Sequence, residues 1–350
     1  MNLLLFNLRV DRDHTALGFT TDWINELAKH FDAITVITMV RGRVELVDNV
    51  TVMSAGLERG WSKPRRVLEF YRCLFAALRM QRYDVCFSHM MPLFTLLAGP
   101  VLKARGVPVA LWYAHNHRSA ILPAALAFAD RALASTRTAF PIETDKLRVI
   151  GQGIYTERFC PQESSRSDPT VRMITIGRFS KVKNIDLMIR ALARLRNALA
   201  GVPITLSIIG EPLSDQDEAY VDSCRELAAS LGVHDIVEWQ GPVSFAEVHT
   251  AYHRGDIFLS ANDNGLDKAI LEAMASGLAV VAMHPALKAP LGPYYADDEN
   301  GFGKSLIDLA SLNSVERRAV GSRLRSYVES EHSLSQLGRR VAEQLEAIAR

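Results

Sequence analysis

The sequence predicts an α/β fold built as two doubly wound domains. Three observations carry this prediction. Short apolar strands alternate with helical patterns through the first half, a Gly-, Pro- and Ser-rich stretch interrupts them, and the same alternation then begins again. At 350 residues, 48% of them hydrophobic, the chain has room for two domains of ordinary size, each with its own core.

Strands are expected over residues 3–8, 33–38, 50–53, 85–88, 109–113, 132–134 and 147–150, because each is a short β-branched or apolar run. Helical spacing falls between them at about 20–29, 64–79 and 93–105. Strands separated by helices pair in parallel, with both faces of the sheet covered. Gly151-Gln-Gly153, Pro161 and the polar run from Glu163 to Pro169 read as a linker, which puts the domains at 1–160 and 161–332. Beyond it, strands are expected near 172–176, 204–209, 236–239, 257–260 and 279–283, with helices at about 185–198, 216–231, 244–253 and 268–276. Gly277 reads as the C-cap of the last of these. A final helix, roughly 333–349, carries Leu334, Leu337, Val341, Leu345 and Ile348 along one face.

Composition excludes several classes. The formal charge is +1, with residues 1–160 at +6 and 161–350 at −5, so neither half is basic enough to suggest nucleic acid. Cys73, Cys86, Cys160 and Cys224 lack metal-ligand spacing and read as reduced cytosolic thiols. The opening run Met1 to Phe6 has no charged region and reads as a first strand, not a signal peptide. The apolar run 90–102 contains Pro92 and Pro100 and is too short to span a membrane. No Gly-x-Gly-x-x-Gly and no P-loop follows a strand, which argues against dehydrogenases and P-loop NTPases.

The chemistry concentrates in two loops of the second half. Arg178 and Lys183 lie between the strand ending at Ile176 and the helix beginning at Ile185, at the carboxyl end of a strand, where open α/β sheets place ligands. Two fixed cations there suit an anion such as the diphosphate of a nucleotide; solvated surface cations are the bland alternative. Downstream, the polar loop 261–267 enters the helix at Lys268 and presents free N–H groups and the positive end of its dipole. Glu272 is the one acid among Ile270, Leu271, Ala273, Met274 and Ala275, which places its carboxylate at a buried margin in need of donors. Ribose hydroxyls or a structural ion pair would both satisfy it.

In these residues the chain resembles the family 4 (group 1) retaining glycosyltransferases, whose B-type fold sets two Rossmann-like domains across a cleft. The segment from Lys146 to Phe159 is similar to the family's interdomain segment. Ile176-Gly-Arg-Phe-Ser-Lys-Val-Lys183 is similar to its Gly-Arg-x4-Lys motif, and the run from Asn264 to Gly277 to its Glu-x7-Glu motif. The resemblance implies that Arg178 and Lys183 hold the donor diphosphate, that Glu272 binds the ribose, and that Gly265, Leu266 and Lys268 line the donor with them. Asn264 stands where the family has its first Glu, a departure that bears on sugar identity and on activity. Gly18 stands for the family's glycine pair near the phosphate, and His115 for its acceptor-side histidine, with His89 and His117 as competitors. The final helix is expected to return to the first domain.

The implied activity is metal-independent transfer of a hexosyl-type sugar to an acceptor hydroxyl in bacterial-type polysaccharide or glycolipid synthesis. No cofactor is expected, since the nucleotide-sugar is a substrate. A nucleotide-sugar 2-epimerase on the same fold and a non-catalytic sugar-nucleotide or glycan-binding protein are the alternatives. Asp11-Arg-Asp13 follows the first strand and is read as no metal site. Arg59 to Arg82 holds seven basic residues and one acid among Trp61, Phe70, Tyr71 and Phe75, a pattern for peripheral contact with the inner face of the membrane or for an ordinary surface helix. Cytoplasmic location is expected.

Overall fold

The computed structural model describes every residue except 15, 16, 116, 163–167, 245, 264 and 350. The chain divides into two compact units, Met1–Gly153 with Leu334–Arg350, and Ile154–Ser333.

The first unit contains β1 (Asn2–Val10), α1 (Phe19–Ala28), β2 (Ala33–Arg41), β3 (Val50–Ser54), α2 (Lys63–Met80), β4 (Val85–His89), α3 (Pro92–Ala104), β5 (Val109–Trp112), α4 (Leu122–Phe128), β6 (Arg131–Ala134) and β7 (Leu147–Val149). All strands pair in parallel, in the order β3-β2-β1-β4-β5-β6-β7. Leu3, Leu4, Leu5 and Phe6 of β1 are all fully buried, because alternate side chains enter opposite layers. Leu3 and Leu5 pack with Trp23, Ile24 and Leu337, while Leu4 and Phe6 pack with Phe70, Leu74 and Phe94. The chain reverses its direction of travel across the sheet between β1 and β4, so their carboxyl ends form a topological switch point.

The second unit contains β8 (Val171–Ile176), α5 (Ile185–Ala198), β9 (Ile204–Ile209), α6 (Asp215–Ser230), β10 (Val237–Gln240), α7 (Val248–Tyr252), β11 (Ile257–Ser260), α8 (Lys268–Ala275), β12 (Ala279–Ala282), α9 (Lys288–Leu291), α10 (Glu299–Ser311) and α11 (Ser314–Glu331). Its parallel sheet runs β10-β9-β8-β11-β12, which puts its switch point between β8 and β11. One layer gathers Val171, Leu192, Leu206 and Phe302; the other gathers Ile174, Phe258, Leu271 and Val280. Residues 154–160 belong to this unit: Ile154 and Phe159 are buried in its core, and the Phe159 ring lies 5.8 Å from Tyr252.

The last helix, α12 (Leu334–Ala349), buries Leu334, Leu337, Val341 and Leu345 in the first unit's core, against α1 and β4. Where the chain leaves and re-enters the second unit, the Ile154 N–H donates to the His332 carbonyl at 2.7 Å, and Ile154 bridges to Ser333.

Helices α4, α9, α10 and α11 go beyond the elements read from the sequence, and the helix expected over 244–253 is shorter, with α7 confined to Val248–Tyr252. The buried positions of α11 are Arg317, Gly321, Leu324 and Val328, so half of its inward face is not apolar. Gly321 is required there: a Cβ would stand 1.9 Å from the carbonyl oxygen of Gly277, the residue that closes α8 with φ +80°. Asn313 opens α11 with a capping box closed by Glu316.

Candidate functional site

The switch point of the second sheet brings together the loops that follow β8 and β11. At the end of β8 the main chain is held from β9: the Gly177 N–H donates to the Ile209 carbonyl at 3.0 Å and the Phe179 N–H to the Glu211 carbonyl at 2.9 Å. Gly210 comes so close that a Cβ on it would stand 1.9 Å from the Gly177 oxygen. Phe179 is buried with its ring edge-on to Trp239, and Arg178 beside it is exposed. Among the described residues Arg178 has no ion-pair partner.

Lys183 ends the short turn before α5. Its ammonium folds back over Gly177, 3.4 Å from where a Cβ would stand, and donates to Asp267 Oδ2 at 2.5 Å. Asn262 Nδ2 donates to the same oxygen at 3.1 Å. Asn184, at φ 49°, donates to the Ala261 carbonyl at 2.8 Å and ties the two loops together. Asp267 is the residue before α8, yet its side chain makes no capping bond to the helix.

Lys268 and Glu272 stand one turn apart on α8 and are both half-buried. Burial raises the Glu272 carboxyl above its ordinary range, and this is opposed by a hydrogen bond from Tyr252 and by the charges of Lys268 and Arg158. The Tyr252 hydroxyl, on α7 and buried, donates to Glu272 Oε2 at 2.8 Å. Burial pulls the Lys268 ammonium down to about 8, against the attraction of Glu272. The carboxylate therefore sits at a buried margin, as its surroundings in the sequence suggested. Leu266 turns its side chain into the core, 8% exposed among Ile270 and Met274. Gly265 is half-buried with open space on its Cβ side. Asn264 lies outside the described residues.

Gly18 and His115 belong to the first unit. Gly18 precedes α1 with φ −57°, a backbone conformation open to any residue. His115 is exposed beyond β5, its ring edge-on to Tyr113 at 6.0 Å. His117 is exposed too, and its carbonyl accepts from the Tyr113 hydroxyl. His89 ends β4 and is packed between Trp23 and Trp112, at 4.6 and 6.0 Å. Asp11 and Asp13 are taken up by Arg9 and Arg43, at 3.2 Å each. Among the described residues no three His, Cys, Asp or Glu side chains form a group that could hold a metal ion.

Tyr252, Asp267 and Asn262 are additions to the residues singled out from sequence. Asp267 and Asn262 lie in the polar loop already noted, but their partners come from other elements. Tyr252 carries no motif of its own.

Residues 170–308 match the family model described as glycosyl transferases group 1. The GDP-Man:Man(3)GlcNAc(2)-PP-Dol alpha-1,2-mannosyltransferase of Mus musculus is 28% identical over 181 residues, 48% of this chain and 37% of that protein. The D-inositol 3-phosphate glycosyltransferase of Kribbella flavida is 28% identical over 286 residues, 69% of this chain and 66% of that protein. The chain thus spans between about a third and two thirds of these relatives' lengths. Among solved structures, Anabaena HepE in complex with UDP superposes with a TM-score of 0.73 at 16% identity, covering 99% of this chain and 100% of that one. The fold is therefore that of the B-type glycosyltransferases, two units each built on a parallel sheet.

Proposed function

From the match of residues 170–308 to the group 1 glycosyltransferase family model, we propose that this chain moves a sugar from a nucleotide-sugar donor to an acceptor hydroxyl with retention of configuration. One observation carries the reading above the others. Arg178 stands exposed and without an ion-pair partner among the described residues, one residue past Gly177 at the β8–β11 switch point, with Lys183 close above the same backbone. Two cations fixed in advance offset the charge that grows on a departing diphosphate, without reorganising as it forms. Glu272 accepts from the ribose hydroxyls with the oxygen that Tyr252 does not hold.

The acceptor hydroxyl attacks on the face from which the diphosphate leaves, and a phosphate oxygen takes its proton. This route calls on no metal and no cofactor. The first unit receives the acceptor, with His115 orienting its hydroxyl. The product belongs to polysaccharide or glycolipid synthesis. The identified relatives, a mannosyltransferase and an inositol-phosphate glycosyltransferase, and the UDP bound by HepE support a nucleotide-sugar donor of hexosyl type.

We place the enzyme in the cytoplasm and peripheral at the membrane. On α2, Leu68 is 71% exposed and Phe75 41%, and they share a helical stripe with Arg65, Arg72 and Arg79, a pairing of apolar and cationic groups suited to anionic lipid. Arg59 and Arg65 lie over the Trp61 ring at 4.8 and 4.2 Å. No described helix is long and apolar enough to cross a membrane.

Incubation with a panel of nucleotide-sugars, with and without acceptors, tests the reading. Nucleoside diphosphate released only when acceptor is present supports transfer. Donor isomerised without acceptor indicates a 2-epimerase instead, and tight binding without turnover a non-catalytic protein. Arg178→Ala is expected to cut kcat/KM about 100-fold or more, the scale for losing a preorganised charge in a transition state. Unchanged turnover in that variant removes Arg178 from the site.

A further inference from the structure

We propose that Asp267 is a donor-contacting specificity residue: its carboxylate pairs with the Lys183 ammonium and turns to the sugar's hydroxyl groups when the diphosphate takes that ammonium. This rests on the reading that Lys183 holds the diphosphate.

The geometry sets two anions against one cation. Asp267 Oδ2 lies 2.5 Å from Lys183 Nζ, and the two side chains are 28% and 24% exposed, so a ligand can reach the pair from solvent. A phosphate oxygen bound to the same ammonium would lie beside the carboxylate, and like charges at that range repel. The carboxylate must then yield, or find new donors.

A purely architectural role for Asp267 fits poorly. An aspartate in front of a helix ordinarily accepts from the N–H groups of the first turn. Asp267 is in that position, with extended backbone at φ −66° and ψ 135°, but its side chain makes no such bond. Its Oδ2 takes Lys183 and Asn262 instead, the latter a buried side chain that fixes the carboxylate over the loop.

The chemistry of the donor says what replaces Lys183. In a nucleotide-sugar the sugar is joined directly to the distal phosphate, so its hydroxyls lie next to whatever cation holds that phosphate. Hydroxyls donate and an ionised carboxylate only accepts. An intact donor therefore compensates Asp267 for the ammonium it gives up, whereas a nucleoside diphosphate or pyrophosphate does not. Asp267 thereby favours the intact donor over the spent nucleotide and speeds the latter's departure.

Calorimetric binding of inorganic pyrophosphate, which needs no knowledge of the base, tests this on the full chain, with Asp267→Asn, Asp267→Ala and Lys183→Gln. Both Asp267 variants are expected to bind pyrophosphate about fivefold more tightly, the scale of releasing a partly exposed ion pair. In both, the affinity ratio of the turned-over nucleotide-sugar to its nucleoside diphosphate is expected to fall about tenfold, the loss of a hydrogen bond to a charged group. Lys183→Gln is expected to bind pyrophosphate more weakly. Weaker Lys183→Gln binding with unchanged or weaker binding in the Asp267 variants overturns the role of Asp267 alone. Unchanged binding in Lys183→Gln overturns the phosphate reading, and this proposal with it. Thermal unfolding of the Asn variant, nearly isosteric, separates loss of fold from loss of contact.

Discussion

Replacing Tyr252 by Phe removes one oxygen from a side chain that is otherwise fully packed, between the Phe159 and Phe258 rings at 5.8 and 5.9 Å. The apolar contacts survive, so the effect isolates the hydroxyl's bond to Glu272. Hydrogen bonds to an ionised acceptor contribute about 1.5–3 kcal/mol. That is the expected loss of stability once Glu272 is charged. The pH dependence follows from the direction of the shift. Burial raises the Glu272 carboxyl in the folded protein above its ordinary range. Its contribution is thus fully present below the unfolded value and lost as pH rises through the folded one. Tyr252 holds the carboxyl down, so its removal raises the folded value further, and the loss grows and extends to higher pH. Destabilisation by Tyr252→Phe is therefore expected to increase between about pH 5 and about pH 7. Both points stay below the Lys268 ammonium at about 8, which keeps that neighbour charged. Urea titrations at the two values read the effect directly. On a Glu272→Gln background the pH dependence should vanish, since the coupled partner is gone. A loss equal at both pH values, or undiminished on that background, would refute the assignment of the hydroxyl to Glu272.

Gly321→Ala drives a Cβ into the Gly277 carbonyl, 1.9 Å away. Backbone cannot move aside as a side-chain tip can, so the expected cost is about 2–3 kcal/mol, at the upper end for overpacking, read as a lowered unfolding midpoint. Gly277 closes the helix that carries Lys268 and Glu272, so nucleotide affinity should fall with it. For α2, the protein is expected to float with anionic vesicles at low salt and to be released as salt rises, while Leu68→Asp with Phe75→Asp stays in solution. Failure of the unaltered protein to float at low salt would remove membrane contact.

Strands were the most legible part of the fold. Each expected strand has its counterpart in the two sheets, because runs such as 3–6 or 279–283 are apolar over their whole length, as strands covered on both faces must be. The helices that escaped notice hide their inward faces. In α11 the core positions include Arg317, buried with its guanidinium on the carbonyls of Leu309, Ala310 and Leu312, and Gly321. An apolar periodicity cannot register either. In α10, Gly301 and Gly303 fall within the first turns and read as loop.

The candidate site divides in the same way. Arg178, Lys183 and Glu272 were visible because each is an ionic group at a recognisable place, a strand end or an apolar helix face. What each one touches was not. Lys183 meets Asp267 across 84 positions of sequence, and Glu272 meets Tyr252 across 20. Partners at such separations are chosen by sheet order, and sheet order is not written in local spacing. Leu266 shows another limit of local reading: it lies in the same polar loop, yet its side chain goes to the core.

The contact between Gly177 and Gly210 has an evolutionary reach. The frame on which Arg178 and Lys183 stand is fastened main chain to main chain, through the carbonyls of Ile209 and Glu211, so its shape owes little to the identity of the intervening side chains. Lys181 and Val182, both facing solvent in that turn, are free to drift. A lineage could retune its cargo there by point mutation while the mount for the two cations stayed where it was.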